Sequence, residues 1–251
     1  MIEIRALTKR YGAAVVVDDV TLTVPNSGVT ALIGPNGAGK STLLGMIGRL
    51  VPISSGTIAV DGLDVAQTAG DEIARRLAVL RQSQHVAARL TVRDLVAFGR
   101  YPHSKGRLSA ADEGHVTRAL GLLELDDLAD RFIDELSGGQ RQRASIAMVL
   151  CQDSHYVLLD EPLNNLDLKH GRATMQLVRR LADEFGKSLL VVLHDINVAA
   201  AYADHIVAMR AGRIVRQGAA DVVVTTEALA AIFDAEVEVA EIAGRRFALC
   251  I

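Results

Sequence analysis

Val29-Thr30-Ala31-Leu32-Ile33 runs without a break into Gly34-Pro35-Asn36-Gly37-Ala38-Gly39-Lys40-Ser41, and a helical stretch follows from Lys40 to Leu50. The first five residues are a compact β-branched run, the mark of a strand covered on both faces. The next eight satisfy G-x-x-x-x-G-K-[ST] between a predicted strand and a predicted helix, which is the context the pattern demands. Gly37 and Gly39 let backbone N–H groups turn inward around phosphates. Lys40 is placed to reach the β and γ phosphates, and the Ser41 hydroxyl to ligate Mg²⁺. Pro52 is expected to limit the helix.

Working outward, the apolar run Tyr156-Val157-Leu158-Leu159 ends in Asp160. That puts a carboxylate at the carboxyl edge of a buried strand, where ligands bind in open α/β sheets. Asp160 is expected to hold Mg²⁺ through water. Glu161 follows with its side chain turned away, so it can polarise an attacking water. Alone, two acids before Pro162 would read as a strand ending in solvent; the phosphate loop upstream gives them a task. Leu189 to Leu193 is a second apolar run, separated from the first by a helical segment from about Lys169 to Glu184. Strand, crossover helix, strand predicts a parallel sheet. Ile2 to Ile4 and Val15 to Val24 alternate instead, which predicts a small antiparallel sheet with one wet face. Gly56 to Val60 and Ala78 to Leu80 read as further strands, and about Leu90 to Leu150 reads mainly as helix. Val237, Val239 and Ile242 lead through Gly244 to Phe247-Ala248-Leu249, a terminal hairpin. The organisation expected is one domain, 1–251, with an α/β core and antiparallel part at about 1–83 and 156–251 and a helical insertion at about 84–155.

The chain has 251 residues, 27 Lys plus Arg against 30 Asp plus Glu, a net charge of −3, and half of its residues apolar. This excludes a disordered chain, and the absence of a long basic block argues against general nucleic-acid binding. Cys151 and Cys250 show no C-x-x-C spacing, so neither a disulfide framework nor a zinc site is indicated, and a reducing compartment is expected. Met1-Ile2-Glu3-Ile4-Arg5 alternates like a strand and lacks a secretion-signal layout. No stretch approaches the roughly 18 apolar residues of a membrane span. Any membrane role is therefore expected to come through a partner.

Leu136-Ser137-Gly138-Gly139-Gln140 precedes a segment of helical propensity, Arg141 to Met148, with Ser137 as its N-cap candidate. Such a helix start offers free N–H groups to an anion. In this order of motifs the chain resembles the ATP-binding cassette (ABC) family over nearly its whole length. Gly34 to Thr42 resembles Walker A, Gln82 the Q-loop, Leu136 to Gln140 the signature, and Tyr156 to Glu161 Walker B. Asn165-Leu166-Asp167 resembles the D-loop, His194 the switch histidine, and Tyr11 the aromatic that stacks on adenine. The resemblance implies a P-loop NTPase (RecA-like) core with a small antiparallel β subdomain and an inserted α-helical subdomain, using ATP and Mg²⁺. It implies a head-to-tail homodimer in the ATP-bound state, in which Ser137, Gly138 and Gly139 of one copy close over the γ-phosphate held by the other. Glu161 then orients the water, His194 contacts the γ-phosphate, and Gln82 touches Mg²⁺ and water. Integral membrane permeases at the cytoplasmic face, and indirectly a substrate-binding protein, are the implied partners, with no direct nucleic-acid or cargo contact.

Arg81 to His85, Leu90 to Pro102, Ser104 to Arg107, Pro162 to Asp167 and Leu193 to Asn197 resemble the ferric-siderophore branch of bacterial importer ATPases. They are expected to lie partly on the surface that meets the permease. Heme, cobalamin and other metal-chelate importers use similar ATPases and remain the alternative. A soluble ABC ATPase of translation or DNA repair is disfavoured, because the segment between Walker A and the signature has no sustained heptads. A nonhydrolytic scaffold is disfavoured by the presence of Glu161, Gln82 and His194. Leu163-Asn164 departs from the small polar pair often found there. The segment after about Asp221 is expected to serve packing.

Overall fold

The computed structural model describes residues 1–81, 89–164, 166–242 and 244–250, without the side chains of Arg245 and Cys250. The N-terminal part alternates β1 (Ile2–Tyr11), β2 (Ala14–Val24), β3 (Gly28–Ile33), α1 (Lys40–Ile47), β4 (Ser55–Val60), β5 (Leu63–Asp64), α2 (Gly70–Arg76) and β6 (Leu77–Leu80). Among the described residues, four α-helices follow before the next strand, with two short 3-10 turns between the last two: α3 (Val92–Phe98), α4 (Tyr101–Ser104), α5 (Ala110–Leu122) and α6 (Gly138–Cys151). Then come β7 (Tyr156–Asp160), α7 (Leu168–Asp183), β8 (Ser188–Val192), α8 (Ile196–Tyr202), β9 (His205–Arg210) and β10 (Arg213–Gly218). The chain closes with α9 (Ala220–Val223), α10 (Thr226–Phe233), β11 (Val237–Ile242) and β12 (Arg245–Cys250).

Two sheets organise these elements. The larger runs β10-β9-β3-β8-β7-β6, parallel except for its β10 edge, and the smaller is antiparallel in the order β2-β1-β4-β5. The unbroken apolar runs have a direct cause, since the parallel strands are buried on both faces. Val29, Ala31, Ile33, Val157, Leu159, Leu189 and Val191 face the core under the helices, whereas Leu32, Leu158, Leu190 and Val192 face α1 and the antiparallel sheet. The sheets are tied where the Asp18 N–H donates to the Gly212 carbonyl at 2.9 Å.

The helices follow their sequences. α7 is strongly one-sided, burying Met175, Leu177, Val178 and Leu181, and each such side chain contributes about 1.5–3 kcal/mol on burial. α1 ends earlier than Pro52 implies. Arg49 adopts φ 59°, and its N–H and that of Leu50 bond back to Met46 and Gly45, so a left-handed cap closes the helix at Gly48. The C-terminal hairpin β11–β12 packs on α8, where the Asn197 carboxamide donates to the Ala248 carbonyl and accepts from its N–H at 3.1 and 2.7 Å. Val237 and Ala248 thereby join the main core. Among the described residues, no helix is long and apolar enough to cross a membrane.

Candidate active site

The site is built at the carboxyl edge of three neighbouring parallel strands. Leu32 of β3 and Asp160 of β7 each stand opposite Val192 of β8, so the loops after these strands emerge side by side. The loop after β3 turns through three glycines with positive φ: Gly34 at 144°, Gly37 at 78° and Gly39 at 97°. Two of them are also fixed by space. A Cβ on Gly34 would stand 2.1 Å from the Met209 carbonyl oxygen, and one on Gly39 2.5 Å from that of Val16. The loop is thus pressed against β9 and β2, leaving Asn36 and Gly37 exposed at its rim and Pro35 between, while Ala38 is buried.

Lys40 opens α1 and is itself buried, its ammonium donating to the carbonyls of Gly34 and Pro35 at 2.8 and 3.0 Å. Burial lowers its pKa, opposed by the carboxylates of Glu161 and Asp160. Ser41 Oγ donates to Asp160 Oδ1 at 2.9 Å, and Thr42 follows it on the same helix. Burial pushes the Asp160 carboxyl above its ordinary range; the Ser41 hydrogen bond works against that rise and the charge of Glu161 adds to it. Two hard oxygens at a strand edge beside a phosphate loop suit Mg²⁺, which takes one or two protein ligands together with substrate phosphates and water.

Glu161 follows Asp160 with φ 52°, a conformation costly for a residue with a Cβ. His194 comes directly after β8, steered by the Leu193 N–H bond to the Leu32 carbonyl at 3.1 Å and by Asp195, which caps α8. Its Nε2 lies 2.6 Å from Glu161 Oε1. The other carboxylate oxygen accepts from Asn164 Nδ2 at 2.5 Å, a contact that sequence reasoning missed although Asn164 stood out as a departure.

The fold therefore brings Lys40, Ser41, Asp160, Glu161 and His194 together. Ser137 caps α6 in a reciprocal box with Gln140, the Ser137 N–H bonding Gln140 Oε1 at 3.0 Å, and Ser137 and Gly138 are exposed ahead of Gly139. Among the described residues, no hydrogen bond or ion pair joins 137–140 to 34–42. Asp167 caps α7 through the His170 N–H and is exposed. Tyr11, 53% exposed, ends β1 with the Lys9 ammonium 4.6 Å from its ring centroid. Gln82 and Asn165 lie outside the described residues.

Part of the stretch expected at a partner surface is internal. The Arg100 guanidinium is buried, pairs with Asp112 at 2.8 Å, and donates to the Cys151 and Gln152 carbonyls at the end of α6. Gly99 before it is equally constrained, since a Cβ there would lie 2.1 Å from the Met148 carbonyl oxygen. Phe98 and Tyr101, on either side, are exposed.

A family model described as ABC transporter matches residues 17–164. The chain is 45% identical to the petrobactin import ATP-binding protein YclP of Bacillus subtilis (strain 168), over 98% of both chains. It is 44% identical to the ferric enterobactin transport ATP-binding protein FepC of Escherichia coli (strain K12), over 90% of this chain and 84% of that one. Its structure matches, with a TM-score of 0.79 and 28% identity, an ATP-binding cassette solved as a dimer in a post-hydrolysis state with ADP and phosphate, covering 88% of this chain and 99% of that one.

Proposed function

This chain belongs to the ABC transporter family, and on that premise we propose that it is the ATPase subunit that powers ferric-siderophore uptake through permease partners. The observation that carries the hydrolytic part is the Glu161 carboxylate, aligned by His194 at 2.6 Å beside the Ser41–Asp160 pair and the Lys40 cradle. The cargo class rests on the relatives named for petrobactin and ferric enterobactin.

In this reading the backbone N–H groups of 34–42 and the Lys40 ammonium hold the phosphates, and Tyr11 stacks on adenine. Lys40 is already desolvated, so its charge acts on the phosphate with little water to displace. Ser41 and Asp160 hold Mg²⁺, with Gln82 assigned there by the family pattern; the ion supplies charge neutralisation on the phosphates. Glu161 takes the proton of the attacking water, and His194 turns from Glu161 toward the γ-phosphate. The exposed N-terminus of α6, with Ser137, Gly138, Gly139 and Gln140, has no phosphate of its own to meet and closes the site of a second copy, with Asp167 at the same seam. The dimeric cassette of similar structure supports this arrangement. ATP then joins the two copies, and loss of the γ-phosphate releases them.

The subunit works at the cytoplasmic face of the membrane through permeases, with a substrate-binding protein upstream, and touches no cargo itself. Reconstitution with an iron-chelate permease and its binding protein tests the coupling: the ATPase rate is expected to rise when ferric siderophore is supplied. A rate indifferent to ferric siderophore but raised by heme or cobalamin would move the assignment to those cargoes.

A further inference from the structure

Between Glu161 and Asn164 the chain makes a tight turn. The Asn164 N–H bonds the Glu161 carbonyl at 3.2 Å, and the Leu166 N–H bonds that of Leu163 at 3.2 Å. Pro162 fixes the first corner, and Glu161 enters it in the left-handed region. This geometry folds the Asn164 side chain back over the residue three positions earlier, where its Nδ2 meets Glu161 Oε2 at 2.5 Å. The Glu161 side chain is only 10% exposed, so this donor acts where water competes poorly. Oε1 is held from the other side by His194, whose side chain is 44% exposed and stands on a different loop.

The two contacts differ in kind. The histidine is exposed and reaches Glu161 from beyond another strand, whereas Asn164 is tied to Glu161 through a turn that also bonds their backbones. A small side chain such as alanine or serine in place of Asn164 does not carry a carboxamide to Oε2. We propose that Asn164 is a positioning residue that keeps the Glu161 carboxylate aimed at the attacking water after His194 has left it for the γ-phosphate. The inference rests on the reading of Glu161 as the general base. When His194 moves away, the place it held at Oε1 is open to the water while Asn164 still holds Oε2, so the carboxylate enters the reaction without searching for its orientation. Proton transfer is unchanged: the water gives one proton to Oε1, and Asn164 neither gains nor loses one.

The test uses the purified chain at saturating MgATP, with Asn164→Ala, Asn164→Leu and Glu161→Gln, and the double variant Glu161→Gln/Asn164→Ala. Asn164→Leu keeps most of the shape with neither donor nor charge, which separates a hydrogen-bonding role from a packing one. Asn164→Ala and Asn164→Leu are each expected to lower kcat roughly 10-fold. KM for ATP, the Kd of a fluorescent ATP analogue and the melting temperature should stay near those of the parent. The double variant should be no slower than Glu161→Gln alone, because both changes act through one carboxylate. Parental kcat in the alanine and leucine variants, or a further loss added to that of Glu161→Gln, would overturn the proposal while leaving the base assignment standing. Near-parental turnover by Glu161→Gln would remove that assignment and this inference with it. Should alanine lower the melting temperature, the leucine variant decides.

Discussion

His194 Nε2 and Glu161 Oε1 lie 2.6 Å apart although 33 positions separate them in sequence, because the strands that deliver them, β8 and β7, are hydrogen-bonded neighbours. In the conformation described, the histidine is spent on the carboxylate. It becomes available to a γ-phosphate only by giving up this contact. Glu161→Gln is expected to keep nucleotide affinity, to lower kcat by about 10² to 10⁴, and to let the ATP-bound dimer accumulate. His194→Ala should also lower kcat while sparing binding. Single-turnover hydrolysis and gel filtration with MgATP measure both, and near-normal turnover of Glu161→Gln would refute its role.

Tyr11 presents one ring face to the Lys9 ammonium, which also donates to the Pro52 carbonyl at 2.7 Å. The ring is thus held while more than half exposed. Tyr11→Ala is expected to weaken nucleotide binding about 5-fold or more, the scale of one lost base–aromatic stack. ATP and GTP should suffer alike, since stacking tolerates any base. Lys9→Met should produce a smaller loss of the same kind. Equilibrium titration with both nucleotides checks this, and an unchanged Kd in Tyr11→Ala would place adenine elsewhere.

Asp112 and Arg100 make a prediction about acid stability. Hydrogen bonds from Ser109, and then the Arg100 guanidinium, hold the Asp112 carboxyl well below the ordinary carboxylate range. A carboxylate that ionises more easily in the folded chain stabilises the fold above its unfolded pKa of about 3.9. That contribution fades as the pH falls below this value toward the folded pKa. Arg100→Met should lower the melting temperature at pH 7 by about 5–10 °C and reduce its fall between neutral and acid pH. Melting curves from pH 7 to 3 test both statements. Gly99→Ala should destabilise as well, because backbone rather than a flexible side chain meets the new Cβ.

Cys151 is buried in the core, and desolvation pushes its thiol up to about 12. It should resist iodoacetamide at pH 8 in the folded chain and react once the chain is unfolded. Peptide mapping by mass spectrometry at this residue gives the answer, and rapid labelling under native conditions would mean that the helical layer opens readily.

The parallel sheet was legible because strands buried on both faces leave unbroken apolar runs, and the phosphate loop because glycines and a lysine at set spacing have few other uses. The fold does gather Lys40, Ser41, Asp160, Glu161 and His194. Local rules failed where tertiary contacts replaced them. β1 extends to Tyr11 rather than stopping at Ile4, because register shifts between Ile4 and Arg10 let a non-alternating segment stay paired. The end of α1 was misplaced because Arg49, and not the glycine before it, takes the left-handed position. The burial of Arg100 was not legible because the carbonyls that bury it belong to a helix some 50 residues on. The Asn164 contact was invisible because it depends on a turn that begins at an unusual φ.

α6 is fastened at its far end by Arg100, and by Gln152 donating to the Leu77 carbonyl at 3.0 Å. Its other end carries the exposed Ser137 and Gly138. Fourteen residues of continuous helix span about 21 Å. Near the Ser137 end Gln142 donates to the Pro162 carbonyl at 3.1 Å, so the helix is tied at both ends, and a tilt at the Arg100 end reaches the loop behind Glu161 together with the serine and glycines.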